Sequence, residues 1–377
     1  MKLALVHDWL NQIGGAEDVL KTLVDLYPQR PVYTSIYAPE IMPDYYREWD
    51  IRTLWLDRLP GIYRHHQPYL PIYPVGWGGL DLSEYDVILS NKSGFCHGLQ
   101  HGDSIHICYC LAPTRYVWQL DNYVSREGFS KPIELALRPL VNRLKRWDYN
   151  AAQRVTHFIA ISTEIQERIK TYYDRDSVII YPPVETKRFE VEAQPQDYFL
   201  IVSRLIPYKR IDLAVQVATR LNLPLKIGGK GRDMERLQAM AGPTVEFLGY
   251  VPDEELPALR AGCRAFLFPG LEDFGIAPVQ AQAAGRPVIA YGGGGALDTV
   301  VSGVTGEHFD DMTVESLESA MASFDETKYD PVMMREHARK FDVNVFNAQI
   351  DSFVQQAYLA SYEKHAFEWV DPIHSTP

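Results

Sequence analysis

The chain has 377 residues, 46% of them hydrophobic and 23% charged, the balance of an ordinary soluble globular protein. A formal net charge of −12 argues against broad nucleic-acid binding, which depends on a basic surface. No apolar run reaches the ~18 residues of a membrane span. The opening "MKLALVHDWL" reads as a first buried strand, with no signal peptide. A prior of ~150 residues per domain predicts two domains, or three.

Strand-like apolar runs then alternate with helical patterns. In the first half the strands fall at 3–7, 31–37, 86–90, 105–111, 157–162 and 177–181. They lack in/out alternation, as expected of parallel strands buried on both faces. Ala16, Val19, Leu20 and Leu23 repeat at helical spacing. "STEIQERI" (162–169) carries a capping-box start, with Thr163 three residues before Gln166. Cys96, Cys108, Cys110 and Cys263 do not match the usual zinc spacing and read as reduced, buried thiols of a cytosolic protein. The polar stretch 185–197 has no periodicity and reads as a linker. Strands resume at 198–203, 225–229, 245–250, 265–269 and 287–291, each joined by a crossover short enough for a right-handed βαβ unit. The last helical pattern places Phe346, Ile350, Phe353, Val354 and Ala357 on one face. The fold class expected is α/β, with two doubly wound Rossmann-like domains facing across a cleft. Their ranges are 1–185 and 198–342, and a C-terminal helix over 343–366 packs back on the first domain.

Four places could carry chemistry. "GGAE" (14–17) opens the first helix, where glycine lets a ligand approach and a helix N-terminus favours an anion; a simple tight turn reads nearly as well. In "SRLIPYKRID" (203–212), Arg204 and Lys209 follow a buried strand. Arginine offers a planar fork for phosphate oxygens and lysine a point charge; a surface ion pair is the plainer alternative. In "PGLEDFGIAPVQAQAAGRPVIA" (269–290), Phe274 and Gly275 stand where a helix begins, so backbone N–H groups there suit a phosphate or sugar hydroxyls. Glu272 precedes that turn, and Gln280 follows eight positions later, so the two could hold parts of one elongated ligand; a solvated acid and a polar helix residue are the plainer account. "GGGG" (292–295) opens another helix, or is a flexible turn.

The second half resembles the nucleotide-binding domain of retaining glycosyltransferases of family 4, which have the GT-B fold. "SRLIPYKRID" is similar to the family's phosphate-binding Arg/Lys loop, "EDFGIAPVQ" to its Glu-x7-Glu motif, "GGAE" to its N-terminal glycine loop and "YPPVETKRF" (181–189) to the start of its interdomain segment. "CYCLAPTRYVW" (108–118) resembles a stretch found in mannosyltransferases of O-antigen and exopolysaccharide assembly. Carried over, Arg204 and Lys209 grip the donor diphosphate, and Glu272 contacts the donor sugar beside the backbone of Phe274, Gly275, Ile276 and Ala277. Position 280 holds the ribose, Val251 lies near the base, and Gly229 and Lys230 complete the donor site. Gly14 and Gly15 let the diphosphate approach from the first domain. Arg204, Lys209 and Glu272 are the catalytic set. Two departures stand out: Gln280 replaces the usual glutamate, and Leu111 stands where the family often has histidine. His97 reads as structural.

The resemblance implies metal-independent transfer of a hexose, mannose from GDP-mannose foremost, with retained configuration and no cofactor. The leaving phosphate takes the acceptor's proton, so no protein base is needed. "DRD" (174–176) reads as a polar loop. The implied partners are a nucleotide-sugar donor and a glycan or lipid-linked acceptor. Residues 58–77 mix basic and aromatic side chains, and 135–154 adds Arg138, Arg143, Lys145, Arg146 and Arg154. This local positive bias could meet an anionic membrane; a solvated helix is the alternative. The expected location is cytoplasmic, with peripheral attachment to the inner face of the membrane as an option. Other functions on this architecture are a UDP-sugar-dependent transferase, a sugar-nucleotide epimerase and a catalytically weak nucleotide-sugar-binding subunit.

Overall fold

The computed structural model describes residues 1–119, 131–190, 194–363 and 366–373. The chain divides into two units, Met1–Tyr181 with Phe346–Pro377, and Pro182–Val345. Each is built on one parallel sheet.

In the first unit the strands are β1 (Leu3–His7), β2 (Val32–Thr34), β3 (Ile51–Thr53), β4 (Val87–Lys92), β5 (Ile105–Cys110), β6 (His157–Ala160) and β7 (Ser177–Ile179). Their spatial order is β3-β2-β1-β4-β5-β6-β7. β1, β4 and β5 are buried at every position, which is why their sequences run apolar without alternation. In the second unit β8 (Phe199–Val202), β9 (Leu225–Gly228), β10 (Val245–Gly249), β11 (Ala265–Phe268), β12 (Val288–Tyr291) and β13 (Gly306–Phe309) lie in the order β10-β9-β8-β11-β12-β13. Its two faces feed two cores. Phe199, Ile201, Ala265, Leu267 and Ile289 enter one, and Leu200, Phe266, Phe268, Val288 and Ala290 the other. Strand order reverses between β1 and β4, and again between β8 and β11. Open α/β sheets bind ligands at the carboxyl ends of such strands.

Two strands have no counterpart in the sequence reading, β3 and β13. Both are edge strands with partly exposed residues, so neither produces an apolar run. The helix Thr163–Tyr173 starts one residue earlier than its capping box implied. Ser162 is the cap, and its Oγ accepts from Ile165 N at 3.2 Å. Gln166 instead donates to Ser177 O at 2.7 Å. The stretch read as a linker contains a short helical turn, Thr186–Phe189, that belongs to the second unit. Thr186 Oγ1 donates to Asp342 at 2.5 Å, and the Arg260 guanidinium lies 5.1 Å from the Phe189 ring. Residues 191–193 of that stretch lie outside the described residues. The acids of "DRD" face Lys170, at 3.4 Å from Asp174 and 3.2 Å from Asp176. The four cysteines are free and buried. Among the described residues, no helix is long and apolar enough to cross a membrane.

The helix Val343–Glu363 buries Phe346, Ile350, Phe353, Val354 and Ala357 and braces the first unit. Phe346 meets Tyr109 edge-on at 5.6 Å, Phe353 meets His157 at 5.9 Å, and Tyr27 donates to Asp351 at 3.0 Å. Residues 364–365 lie outside the described residues.

One carboxylate organises the switch point of the first sheet. Asp8 follows β1 and is fully buried. Its Oδ2 accepts from the N–H groups of Ser93 (2.7 Å) and Gly94 (2.6 Å), and its Oδ1 from Phe95 (2.7 Å) and Cys96 (2.8 Å). The loop after β4 is thereby folded around a charge from β1. Asp8→Asn keeps one acceptor oxygen and turns an NH₂ group on two of the donors. A buried donor left without a partner costs about 1–3 kcal/mol. Chemical denaturation should therefore show a loss of at least about 2 kcal/mol, and an unchanged midpoint would mean the loop holds itself.

Candidate functional site

β8 stops at Val202 and the chain enters the Arg204–Lys209 loop. Leu205 is buried and anchors it: its N–H donates to Lys230 O and its carbonyl accepts from Asp233 N, both at 3.0 Å. Pro207–Lys209 forms a short helical turn. Arg210, at φ +50°, is in the left-handed region that few non-glycine residues adopt. An ion pair with Asp212 at 3.2 Å and a hydrogen bond to Met312 O at 3.2 Å hold it there. The helix Ile211–Leu221 follows.

The two cations of this loop have different fates. Lys209 forms an ion pair with Glu272, and the two side chains are only 13% and 21% exposed. Arg204 is exposed and makes no ion pair among the described residues. Gly270 permits the meeting, because a Cβ there would come within 2.9 Å of the Lys209 backbone. Lys209 comes from the exit of β8 and Glu272 from the exit of β11, the two strands that flank the switch point.

After Glu272 the chain passes buried Phe274, whose ring packs on Phe341 at 5.6 Å, so only the backbone of Phe274 can serve a ligand. Gly275, at φ +107°, caps the helix Ile276–Ala283, and no side chain caps that end. The opening N–H groups at Ile276 and Ala277 therefore keep the partial positive charge of a helix N-terminus. Gln280 lies one turn further on, half-buried. Gln282 is a core residue that donates to Thr299 O at 2.6 Å. The glycine run 292–295 backs this loop. Gly295 N donates to Glu272 O at 2.8 Å. A Cβ on Gly294 would sit 2.3 Å from Glu272 O, and one on Gly295 would sit 2.1 Å from Phe274 Cα. The run is a packing surface that supports Glu272 from behind.

The exits of β9 and β10 complete the same edge of the second sheet. Gly229, at φ +131°, lies so close to the chain after β8 that a Cβ would meet Ser203 O at 1.8 Å. Its N–H donates to Gly249 O at 2.6 Å. Val251 packs over Gly228, where a Cβ would meet it at 2.9 Å. Lys230 is exposed, its Nζ 5.9 Å from the Tyr250 ring. Eleven of the expected residues thus lie in one unit, along one end of one sheet or on the helix that leaves it.

Gly14 and Gly15 belong to the first unit. Gly14 precedes the helix Gly15–Leu26, and its carbonyl accepts from Glu17 N and Asp18 N at 3.0 Å each. Behind it lies a buried group that sequence reading missed. Asn91 Nδ2 donates to Ala16 O at 2.7 Å and faces His7 Nδ1 at 3.2 Å. The amide nitrogen is a donor, so His7 Nδ1 accepts and the ring proton sits on Nε2, 3.5 Å from Glu17 Oε1. A second such group lies under "LAPTRYVW". Lys92 is fully buried and donates to Ala112 O at 3.0 Å and Thr114 Oγ1 at 3.3 Å. Thr114 Oγ1 also lies 2.7 Å from Asp148, which accepts from Trp118 Nε1 at 2.6 Å and Tyr173 OH at 2.8 Å. Burial opposes the Lys92 charge, but the acidic groups around it, Cys110 and Asp148 foremost, hold its pKa above the ordinary lysine value. Leu111 stands at the start of this loop, its N–H bonded to Lys92 O at 2.8 Å. His97 is fully buried beside Asp148 O at 3.3 Å, and burial pushes its pKa well below the usual histidine range, as suits a structural histidine.

Residues 183–341 match the family described as Glycosyl transferases group 1. The match lies within the second unit. The chain is 31% identical over 170 residues to the GDP-mannose-dependent alpha-(1-6)-phosphatidylinositol monomannoside mannosyltransferase of Mycolicibacterium smegmatis, an alignment that covers 37% of this chain and 44% of that one. To the O-antigen chain mannosyltransferase B of Escherichia coli it is 35% identical over 159 residues, 39% of each chain. The chain thus spans less than half the length of these curated relatives. Both units together match HepE of Anabaena, solved in complex with UDP, with a TM-score of 0.69 at 18% identity over 94% of this chain and 100% of that one. This likeness is one of fold, and the fold is GT-B.

The packing behind Glu272 can be tested without any ligand. Gly295→Ala forces a Cβ onto Phe274 Cα. Overpacking of this kind costs about 1–3 kcal/mol, or several degrees for a unit of this size. Differential scanning calorimetry should show that drop, and an unchanged transition would mean the two loops have room to part.

Proposed function

We propose that the chain is a retaining hexosyltransferase, moving mannose from GDP-mannose to a lipid-linked or polysaccharide acceptor in surface-glycan synthesis. The observation that carries this reading is the arrangement of Arg204, Lys209 and Glu272 in the unit that matches group 1 glycosyl transferases. A guanidinium with no ion pair among the described residues and a lysine–carboxylate pair occupy the strand exits at a switch point, beside a helix start that no side chain caps.

The chemical problem is to expel a nucleoside diphosphate from a sugar carbon. Negative charge grows on the diphosphate as that bond breaks. Arg204, Lys209 and the N-terminus of Ile276–Ala283 are placed to stabilise it by preorganised electrostatics. Lys209 exchanges Glu272 for a phosphate oxygen. Glu272, released, accepts from hydroxyls of the donor sugar. The backbone from Phe274 to Ala277 serves the same sugar and phosphate, Gln280 takes the ribose, and Val251 lies by the base. The acceptor oxygen bonds to the sugar carbon on the face the diphosphate leaves, and its proton passes to the leaving phosphate. Configuration is retained, and no metal takes part. The mannosyltransferase relatives support the choice of sugar and base. A lipid-linked acceptor implies work at the inner face of the membrane. A second reading, transfer from a UDP-sugar, is favoured by the likeness to HepE with bound UDP.

The deciding experiment is transfer of radiolabelled mannose from GDP-mannose in excess EDTA, run beside UDP-glucose. Labelled glycan from the mannose donor is the expected product. Dependence on added Mn²⁺ would overturn the metal-free route, and product from the UDP-sugar alone would move the donor to the second reading. Arg204→Ala and Lys209→Ala should each lower turnover by roughly 10²–10³-fold, the usual effect of removing one charge partner of a transition state. Near-normal turnover in both would place the diphosphate elsewhere.

Gln280→Glu tests the ribose contact. A charged hydrogen bond contributes ~1.5–3 kcal/mol and a neutral one ~0.5–1.5. The glutamate form should therefore bind donor about five- to tenfold more tightly. The ribose lies away from the reacting carbon, so the gain belongs in KM and leaves kcat within a small factor. A hundredfold rise in kcat would instead put position 280 in the chemical step.

A further inference from the structure

Two stretches singled out by their basic and aromatic residues, far apart in the chain, meet in the first unit. Pro71, Pro74 and Val75 form one wall of a groove, and Leu140, Leu144 and Trp147 of the helix Lys131–Arg154 form the other. The groove measures about 370 Å³ and Arg143 also lines it, a volume within the range of roughly 300–1,000 Å³ usual for small-molecule sites. Val75 is 65% exposed, an apolar side chain left open to solvent beside an apolar trough.

The two stretches that meet here carry charge of one sign. Aspartate and glutamate make up 49 of the 377 residues. Yet residues 58–80 hold none, and 138–154 hold only Asp148, which is fully buried and bonded to Thr114, Trp118 and Tyr173. Arg58, Arg64, Arg143 and Arg146 are exposed and form no ion pair among the described residues. Trp55, Tyr63 and Tyr149 are large aromatic side chains at least a third exposed. On a chain of net charge −12, the apolar slot is lined by an arginine and by no carboxylate, and acids come in at the Tyr63 side, where Asp57 and Glu40 lie. Aromatic and cationic side chains around an apolar seat suit the boundary of a bilayer with anionic headgroups.

We propose that this groove seats the hydrocarbon chain of a phosphate-bearing membrane lipid, with Arg143 against its phosphate. The inference deepens the acceptor side of the transferase reading and rests on it only for the lipid's role in transfer. The site itself is tested without any sugar donor.

The full chain is mixed with vesicles of phosphatidylcholine alone or with added phosphatidylglycerol, the latter with plain or chain-brominated acyl groups. Binding is read by sedimentation, and chain insertion by quenching of tryptophan fluorescence, since Trp147 lines the groove. The expected result is binding only to the anionic vesicles, with quenching by the brominated chains. Val75→Asp and Arg143→Glu, both at exposed positions, should each weaken that binding about tenfold or more and abolish the quenching. Equal binding to both vesicle types overturns the proposal. So does binding without quenching, which would mean surface charge alone, and so does unchanged behaviour of both variants. Inorganic phosphate that displaced the protein from vesicles at millimolar concentration would show an anion site with no chain in it, and would also overturn the proposal. Mannose transfer to a water-soluble acceptor analogue, retained in both variants, separates failure of the groove from failure of the transferase reading.

Discussion

Parallel strands buried on both faces leave little room for polar side chains along their length. β8, β11 and β12 send alternate residues into two separate cores, so each position is committed to packing. Any group that must meet water or a ligand is displaced to where the strands stop. Arg204, Gly229, Val251 and Glu272 all follow strand exits for this reason. The glycines between them then decide how closely the exits approach. Gly229 lies against Ser203, Gly270 against Lys209, and Gly294 and Gly295 against Glu272 and Phe274. Side chains at these points would push the loops apart and separate the charges they carry.

Much of this was legible in the sequence because it is local. An apolar run followed by cations, or by a turn and a helix, shows both the strand and its exit within about ten residues. Edge strands β3 and β13 were not legible, since partial exposure removes the continuous apolar signal. The groups around Asp8, His7 and Lys92 were not legible for another reason. Asp8 bonds to residues about 85 positions away, His7 faces Asn91 across β1 and β4, and Lys92 reaches Thr114 after β5. Parallel pairing creates these meetings, and no spacing along the chain announces them. The one available hint was chemical: His7, Asp8, Asn91 and Lys92 are polar residues at the ends of runs that begin apolar.

The two switch points differ in what fills them. In the second unit the exits of β8 and β11 present an arginine with no ion pair among the described residues and a lysine–glutamate pair. In the first, four successive N–H groups after β4 already hold an anion, the Asp8 carboxylate. Consecutive N–H groups in a turn are a common seat for phosphate, and here the chain occupies that seat itself. On the same architecture one unit keeps its positive groups available and the other spends them on its own fold. That asymmetry fits a protein in which only the second unit grips a diphosphate.

The Lys209–Glu272 pair has a consequence for ligand choice under the proposed reading. A simple anion that draws Lys209 away leaves the Glu272 carboxylate deprived of its counter-charge in a largely dehydrated place. Phosphate or sulfate can compensate one partner but has nothing to give the other. A molecule carrying phosphate oxygens at one end and hydroxyl donors at the other compensates both in a single step. The closed pair then works as an exclusion filter, turning away the abundant small anions of the cell and yielding only to a ligand with both kinds of group at the right separation.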